Sequence, residues 1–248
     1  MISAAIAAPA RGGRVIYNVD TQGCIRDGAV PEHITVYIAA LEPLPADSLR
    51  KRQRAQVLSW LAEHDDNSLT PPELQTTDLG KPYWPDGRWQ LNWSHSQYIV
   101  ALAIAPHEFF QQQTASNTKS ESESESESES ESESESETLA GALGIDLEVL
   151  GRSRSREALI NRYYHPNEHS LADTDLGFLS IWTRKEAVVK AQGMGLRIDL
   201  KSLNTATAVI EHVQLGQWHS LTVSLNEPNA APTEIGVLSL SWPAALAL

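Results

Sequence analysis

The sequence predicts a mixed α+β or α/β protein built in two parts, and three observations carry that reading. Strand-like and helix-like segments occur on both sides of the middle of the chain. The middle itself, residues 120–137, is nine consecutive Ser-Glu pairs. Such a tract has no apolar surface to bury and repels itself, so it predicts an extended linker, roughly 20–25 Å long as a flexible coil. Finally, 248 residues of which 41% are hydrophobic can fill one large core or two small ones. The predicted division is residues 1–113, a disordered linker over 114–138, and residues 139–248.

In the front part, Ile34–Ala39 reads as a strand. A helix follows from about Ser48 to His64, with Arg50, Lys51, Arg52 and Arg54 on its first turns and Val57, Leu58 and Leu61 as the buried stripe. Thr70-Pro71-Pro72-Glu73 marks a loop and Gly80-Lys81-Pro82 a turn. Trp89–Trp93 and Tyr98–Ala105 read as strands, with Ser94-His95-Ser96 between them. The back part opens with a strand near Leu143–Leu150, then a helix near Glu157–Tyr164 and a longer one near Ile181–Gln192, ended by Gly193 and Gly195. Two or three strands close the chain, including the alternating Val237–Trp242.

Composition narrows the function. The formal net charge is −13, which argues against binding nucleic acid or an anionic membrane through bulk charge. Nine of the 32 acids lie in the Ser-Glu tract, leaving the body at only −4. A lone cysteine, Cys24, excludes an intrachain disulfide and a cysteine-based zinc knuckle. Apolar runs such as Ile99–Ala105 are strand-length, short of the ~20 residues of a membrane span. The N-terminus lacks the basic start of a signal peptide, since Arg11 and Arg14 follow its apolar run. The expectation is a loose N-terminus on a cytoplasmic protein.

Two stretches carry residues fit for chemistry. In Gly144-Ile145-Asp146-Leu147-Glu148-Val149, strand alternation puts Asp146 and Glu148 on one face and the apolar residues on the other. Paired carboxylates suit Mg²⁺ or Mn²⁺ better than zinc, although the same pattern also describes the wet face of an edge strand. In Trp182-Thr183-Arg184-Lys185-Glu186-Ala187-Val188-Val189-Lys190, helical spacing puts Glu186 and Lys190 on one side with Lys185 adjacent. An acid and two lysines so arranged suit a metal-bound polyphosphate; Glu186 and Lys190 also fit an ordinary i,i+4 ion pair. A third stretch, His165-Pro166-Asn167-Glu168-His169, fits the H-x-x-E-H pattern of inverted zinc peptidases, with Pro166 against it and no third ligand nearby.

In this order and spacing, the first two stretches resemble the signature motifs of 4′-phosphopantetheinyl transferases. Gly80-Lys81-Pro82 and Asn92-Trp93-Ser94-His95-Ser96 are similar to upstream motifs of the larger, Sfp-type branch, which extends the resemblance over residues 80–203. The resemblance implies an α+β fold of two similar α/β halves packed as an intramolecular pseudo-dimer, monomeric, with coenzyme A in the cleft. It implies transfer of the phosphopantetheine arm of coenzyme A to a serine of an apo acyl or peptidyl carrier protein, with Mg²⁺, releasing 3′,5′-ADP. By match, Asp146, Glu148 and Glu186 would hold the metal, Lys185 and Lys190 the diphosphate and the arm, and His95 the 3′-phosphate with Ser94 beside it. Lys81 would lie near the adenosine end, and Glu168 would act as base or water-positioner; Glu186 and Lys190 would serve catalysis directly. The stretch from Arg54 to Lys81 is shorter than the family's, so the resemblance does not say which of Arg50, Lys51, Arg52 and Arg54 meets a phosphate.

An acidic carrier approaching a mildly acidic body needs a local positive patch, and Arg152, Arg154, Arg156 and Arg162 are the candidates. The motifs do not specify the carrier or its pathway. The competing readings are a protein that binds coenzyme A or a carrier without turnover, and, more remotely, the zinc peptidase.

Overall fold

Alternating apolar residues build two sheets that bury one face against each other. The computed structural model describes residues 2–5, 15–18, 33–64, 73–110, 143–151, 155–193, 197–226 and 234–244. The Ser-Glu tract, residues 70–72, Cys24, Arg11, Arg14, Arg152, Arg154 and Gly195 lie outside the described residues. The strands are β1 (Ile2–Ala5), β2 (Val15–Asn18), β3 (Thr35–Ala40), β4 (Gln75–Thr76), β5 (Pro82–Tyr83), β6 (Trp89–Ser96) and β7 (Ile99–Pro106). After the linker come β8 (Gly144–Val149), β9 (Val209–His212), β10 (Gly216–Asn226) and β11 (Glu234–Pro243). The helices are α1 (Ala46–His64), α2 (Arg156–Tyr163) and α3 (Asp175–Gln192), with a 3₁₀ turn over Pro166–Ala172.

One sheet has the order β2-β3-β7-β6 and the other β1-β10-β11-β8, with β9 also on β10; β4 and β5 form a separate small ribbon. Alternation decides what each face meets. Val36, Ile38, Ala101 and Ala103 from the first sheet share a core with Ile145, Leu147, Leu238 and Leu240 from the second. The opposite face of the first sheet packs Tyr37, Val100 and Leu102 on Val57, Trp60 and Leu61 of α1. The opposite face of the second sheet is covered by α3: Val189 shares one apolar cluster with Ile210 and Trp218, and Ile181 another with Val237. The result is four layers in the order helix, sheet, sheet, helix, an α+β architecture.

Four differences from the sequence reading have physical causes. The N-terminus is not loose: Ile2–Ala5 pairs in parallel with Val223–Asn226, so the start of the chain completes the back-half sheet. The third helix begins at Asp175, six residues before the expected Ile181. The Thr174 hydroxyl accepts the Gly177 N–H at 3.0 Å as its cap. Gly177, a poor helix former, hides that start in the sequence. Trp60, rather than Leu58, completes the fully buried stripe of α1. Finally, Ser94-His95-Ser96 is not a connection but the end of β6; the turn is Gln97-Tyr98, with Gln97 at φ 50°. No helix among the described residues is long and apolar enough to cross a membrane.

Candidate active site

The site grows from the free edge of β8. This strand pairs on one side with β11, leaving the N–H groups of Ile145, Leu147 and Val149 facing away from the sheet. Unpaired donors at a buried edge are costly, so they must find acceptors. Three side chains of β6 supply them at alternate positions: Asn92 Oδ1 accepts from Ile145 at 3.0 Å, Ser94 Oγ from Leu147 at 3.3 Å and Ser96 Oγ from Val149 at 3.2 Å. The same period-2 rule that aims Ala101 and Ala103 of β7 into the inter-sheet core aims their cross-strand partners Ser94 and Asn92 there too. A polar sequence can therefore be a strand here, because its inward face meets a polar edge.

Asp146 and Glu148 point to the other side, where α3 crosses. Gly144 permits this crossing: a Cβ there would lie 1.9 Å from the Ala187 carbonyl oxygen. Helix α3 thereby brings Lys190 Nζ to 2.5 Å from Asp146 Oδ1 and 3.1 Å from Ser94 Oγ. The Ser94 hydroxyl also lies 2.9 Å from Asp146 Oδ1. Its two lone pairs take the Leu147 N–H and the Lys190 ammonium, so its single proton must go to Asp146. Burial pushes the Asp146 carboxyl up from its ordinary value; Lys190 and the Ser94 hydrogen bond pull it back down, and Glu148 adds to the rise.

Asp146 Oδ2 is buried and has no hydrogen-bond partner among the described residues. An orphaned carboxylate oxygen in this position fits a hard divalent cation, as expected from the donor chemistry. Glu148, half-buried, accepts from Ser96 Oγ at 2.8 Å. Glu186 is half-buried on α3, one turn before Lys190. Among the described residues no group of three His, Cys, Asp or Glu side chains stands close enough to hold an ion, so Asp146, Glu148 and Glu186 are not gathered into a cage. The Lys190 ammonium neutralises Asp146 instead.

His95 lies on the opposite face of β6 from Ser94, across from Val100 and toward α1. It is exposed, and its pKa is lowered first by partial burial, then by the charges of Lys190 and Arg50, against the opposing pull of Asp146 and Glu148. Five charged or titratable groups thus share one region. Arg50 is the basic residue of α1 whose charge reaches His95. Gln53, one turn further along α1, ties the helix to the hairpin by donating to the Gln97 carbonyl at 2.8 Å.

Three expected site residues lie elsewhere. Lys81 is buried between the halves, its ammonium donating to the Ala191 carbonyl at 2.8 Å and the Leu143 carbonyl at 3.3 Å. Burial lowers its pKa to about 7. Lys185 and Glu168 are both fully buried and pair at 2.8 Å. Lys185 donates also to the Leu200 and Leu203 carbonyls, and burial lowers its pKa against the pull of Glu168. Glu168 further accepts from His165 N at 2.7 Å, Thr205 N at 2.5 Å and Thr205 Oγ1 at 2.9 Å. With its oxygens so engaged, Glu168 has neither solvent access nor a free lone pair aimed at the Asp146 region.

The H-x-x-E-H stretch is a capping box. His165 is the cap preceding a 3₁₀ turn, and its side chain accepts the Asn167 N–H, so the two histidines do not share an α-helical face as a zinc pair requires. Of the arginine patch, Arg156 pairs with Asp175 at 2.7 Å and donates to the Asp173 carbonyl at the start of α3.

Residues 142–235 match the family model of the 4′-phosphopantetheinyl transferase superfamily. This part of the chain belongs to that superfamily. The match runs from the approach to β8 into β11, so it takes in Asp146, Glu148, Lys185, Glu186 and Lys190. Lys81, Ser94 and His95 lie before it. No curated protein matches the chain. The match indicates a 4′-phosphopantetheinyl transferase enzyme through residues 142–235, and this matched segment contributes the strand and helix that meet at Gly144. Sequence reasoning quoted Asn92 and Ser96 within a motif but gave them no role, although the period-2 spacing of Asn92, Ser94 and Ser96 hints at one shared face, and it missed Arg50's link to His95.

Proposed function

We propose that this transferase moves the 4′-phosphopantetheine arm of coenzyme A onto a serine of an acidic apo carrier protein, with Mg²⁺, releasing 3′,5′-ADP. The observation that carries the reading is the meeting of a buried carboxylate with an orphaned oxygen, Asp146, and a partly exposed ammonium, Lys190, beneath one helix. Asp146, Glu148 and Glu186 are the residues that would hold the ion. When bound, Mg²⁺ would withdraw charge from the diphosphate and stabilise the ADP that leaves.

The chain's own groups divide the remaining work. The Lys190 ammonium, one-third exposed, binds diphosphate oxygens where charge builds as the phosphorus–oxygen bond to ADP breaks. His95 and Arg50 bind the 3′-phosphate, and their mutual repulsion when no anion is present is what such a site exhibits. The carrier serine oxygen attacks phosphorus and loses its proton; between the two candidate glutamates we assign its acceptance to half-buried Glu186 over sealed Glu168. Lys185 and Lys81 support the fold around these groups rather than touching the substrate.

The test is to mix the full chain with coenzyme A, Mg²⁺ and a panel of apo carriers from fatty-acid, polyketide, peptide-synthetase and amino-acid-reducing systems. Intact-mass measurement should show one added phosphopantetheine arm on at least one carrier, and no addition with Asp146→Asn. No addition on any carrier by the wild-type chain would favour a binding protein without turnover.

A further inference from the structure

The third rung of the β6 ladder does more than satisfy an edge. Ser96 Oγ accepts the Val149 N–H at 3.2 Å and lies 2.8 Å from Glu148 Oε2. With the N–H directed at a lone pair, the hydroxyl proton is left to point at the carboxylate. The turn after Ser96 is held from three sides. It has Gln97 in the left-handed region at φ 50°, where a residue other than glycine is strained. Gln53 of α1 donates to the Gln97 carbonyl at 2.8 Å, the Leu41 N–H donates to the Tyr98 carbonyl at 2.8 Å, and Gln97 Nε2 reaches the Leu150 carbonyl at 3.4 Å. The hairpin tip is thereby fixed to α1, to the chain after β3 and to the end of β8.

We propose that Ser96 is a positioning residue that aims Glu148 at the cation site. It fixes a back-half carboxylate from the front-half sheet, so the carboxylate's direction depends on both halves being docked. The inference rests on the proposed metal role of Asp146 and Glu148. Ser94 is the wrong residue to test it, because its hydroxyl contacts Asp146, Lys190 and Leu147 at once. Ser96 reaches the site through Glu148.

The experiment measures Mn²⁺ affinity by calorimetry on the full chain, with saturating coenzyme A and no carrier, so no turnover occurs. Ser96→Ala should weaken Mn²⁺ binding about tenfold, the lower end of what loss of a ligand-orienting partner does. Coenzyme A affinity measured without metal should stay unchanged. Ser96→Thr, which restores the hydroxyl, should recover most of the loss. The decisive comparison is a cycle with Glu148→Gln: the double variant should bind Mn²⁺ no more weakly than Glu148→Gln alone. Should the alanine variant lose stability, Ser96→Cys keeps an acceptor for Val149 N but donates poorly to a carboxylate, and should behave like it. Additive losses in the cycle, or an unchanged affinity in Ser96→Ala, would overturn the positioning role while leaving the metal reading intact. A wild-type chain that binds no Mn²⁺ would overturn the metal reading and this inference with it.

Discussion

Replacing Lys185 by methionine separates a structural lysine from a substrate-binding one. The side chain is 0% exposed, as is its partner Glu168. Methionine keeps most of the volume and removes the ammonium, so Glu168 is left as a buried charge. Breaking a buried pair by removing one partner costs about 3–5 kcal/mol. The Leu200 and Leu203 carbonyls also lose their donor, while the three donors on Glu168 from His165 and Thr205 remain, which keeps the cost within that range. In a chain of this size each kcal/mol lowers the melting temperature by roughly 2–4 °C, so the expected drop is about 6–20 °C. Urea and thermal unfolding followed by circular dichroism would measure it. Adding Glu168→Gln should recover roughly 1–2 kcal/mol by removing the stranded charge. Coenzyme A affinity of the folded Lys185→Met protein should match wild type, because the amine faces carbonyls and Glu168. A drop below about 2 °C accompanied by weakened coenzyme A binding would refute this reasoning. It would show that Lys185 meets the diphosphate, as the motif resemblance implies.

Three further outcomes follow from the same geometry. Gly144→Ala must push α3 off β8 at the Ala187 carbonyl, at a cost of about 3 kcal/mol or more, and should reduce transfer by displacing Lys190. Gly151→Ala, with φ 89° but nothing within 4 Å of a new Cβ, serves as control; equal melting temperatures for the two would contradict the packing argument. Lys81 sits at about 7 when folded against 10.5 ordinarily, so between those pH values the unfolded chain binds the proton and the folded chain does not. Its contribution to stability therefore rises with pH across that window by about 1.4 kcal/mol per unit and is flat below it. Urea unfolding of wild type and Lys81→Met at pH 7 and pH 9 should reveal this difference, and parallel profiles would exclude it. His95→Ala should weaken coenzyme A about tenfold more than dephospho-coenzyme A in a titration, with a gap that widens at lower pH as the imidazole gains its proton. Equal losses for both ligands would move His95 away from the 3′-phosphate.

Local chemistry alone determined the strands and helices with clear periodicity. Ile145, Leu147 and Val149 had to face a core, so Asp146 and Glu148 had to share the other side. The order of the glycine, acid and lysine motifs was enough to point to the superfamily that residues 142–235 match. Tertiary structure decided everything that depends on a partner distant in sequence. Ser94 and Ser96 look like a loop because their acceptor role exists only beside a strand edge 53 residues away. Lys185 and Lys190 stand five residues apart in one motif, yet one is sealed against Glu168 and the other reaches Asp146, since α3 buries one face and skirts the seam with the next. Ile2–Ala5 joins a sheet whose other strands follow the linker, a pairing that a short apolar run cannot announce. Periodicity reports which face is buried; it does not report what covers that face, and the covering group decides whether a charge is a strut or a reagent.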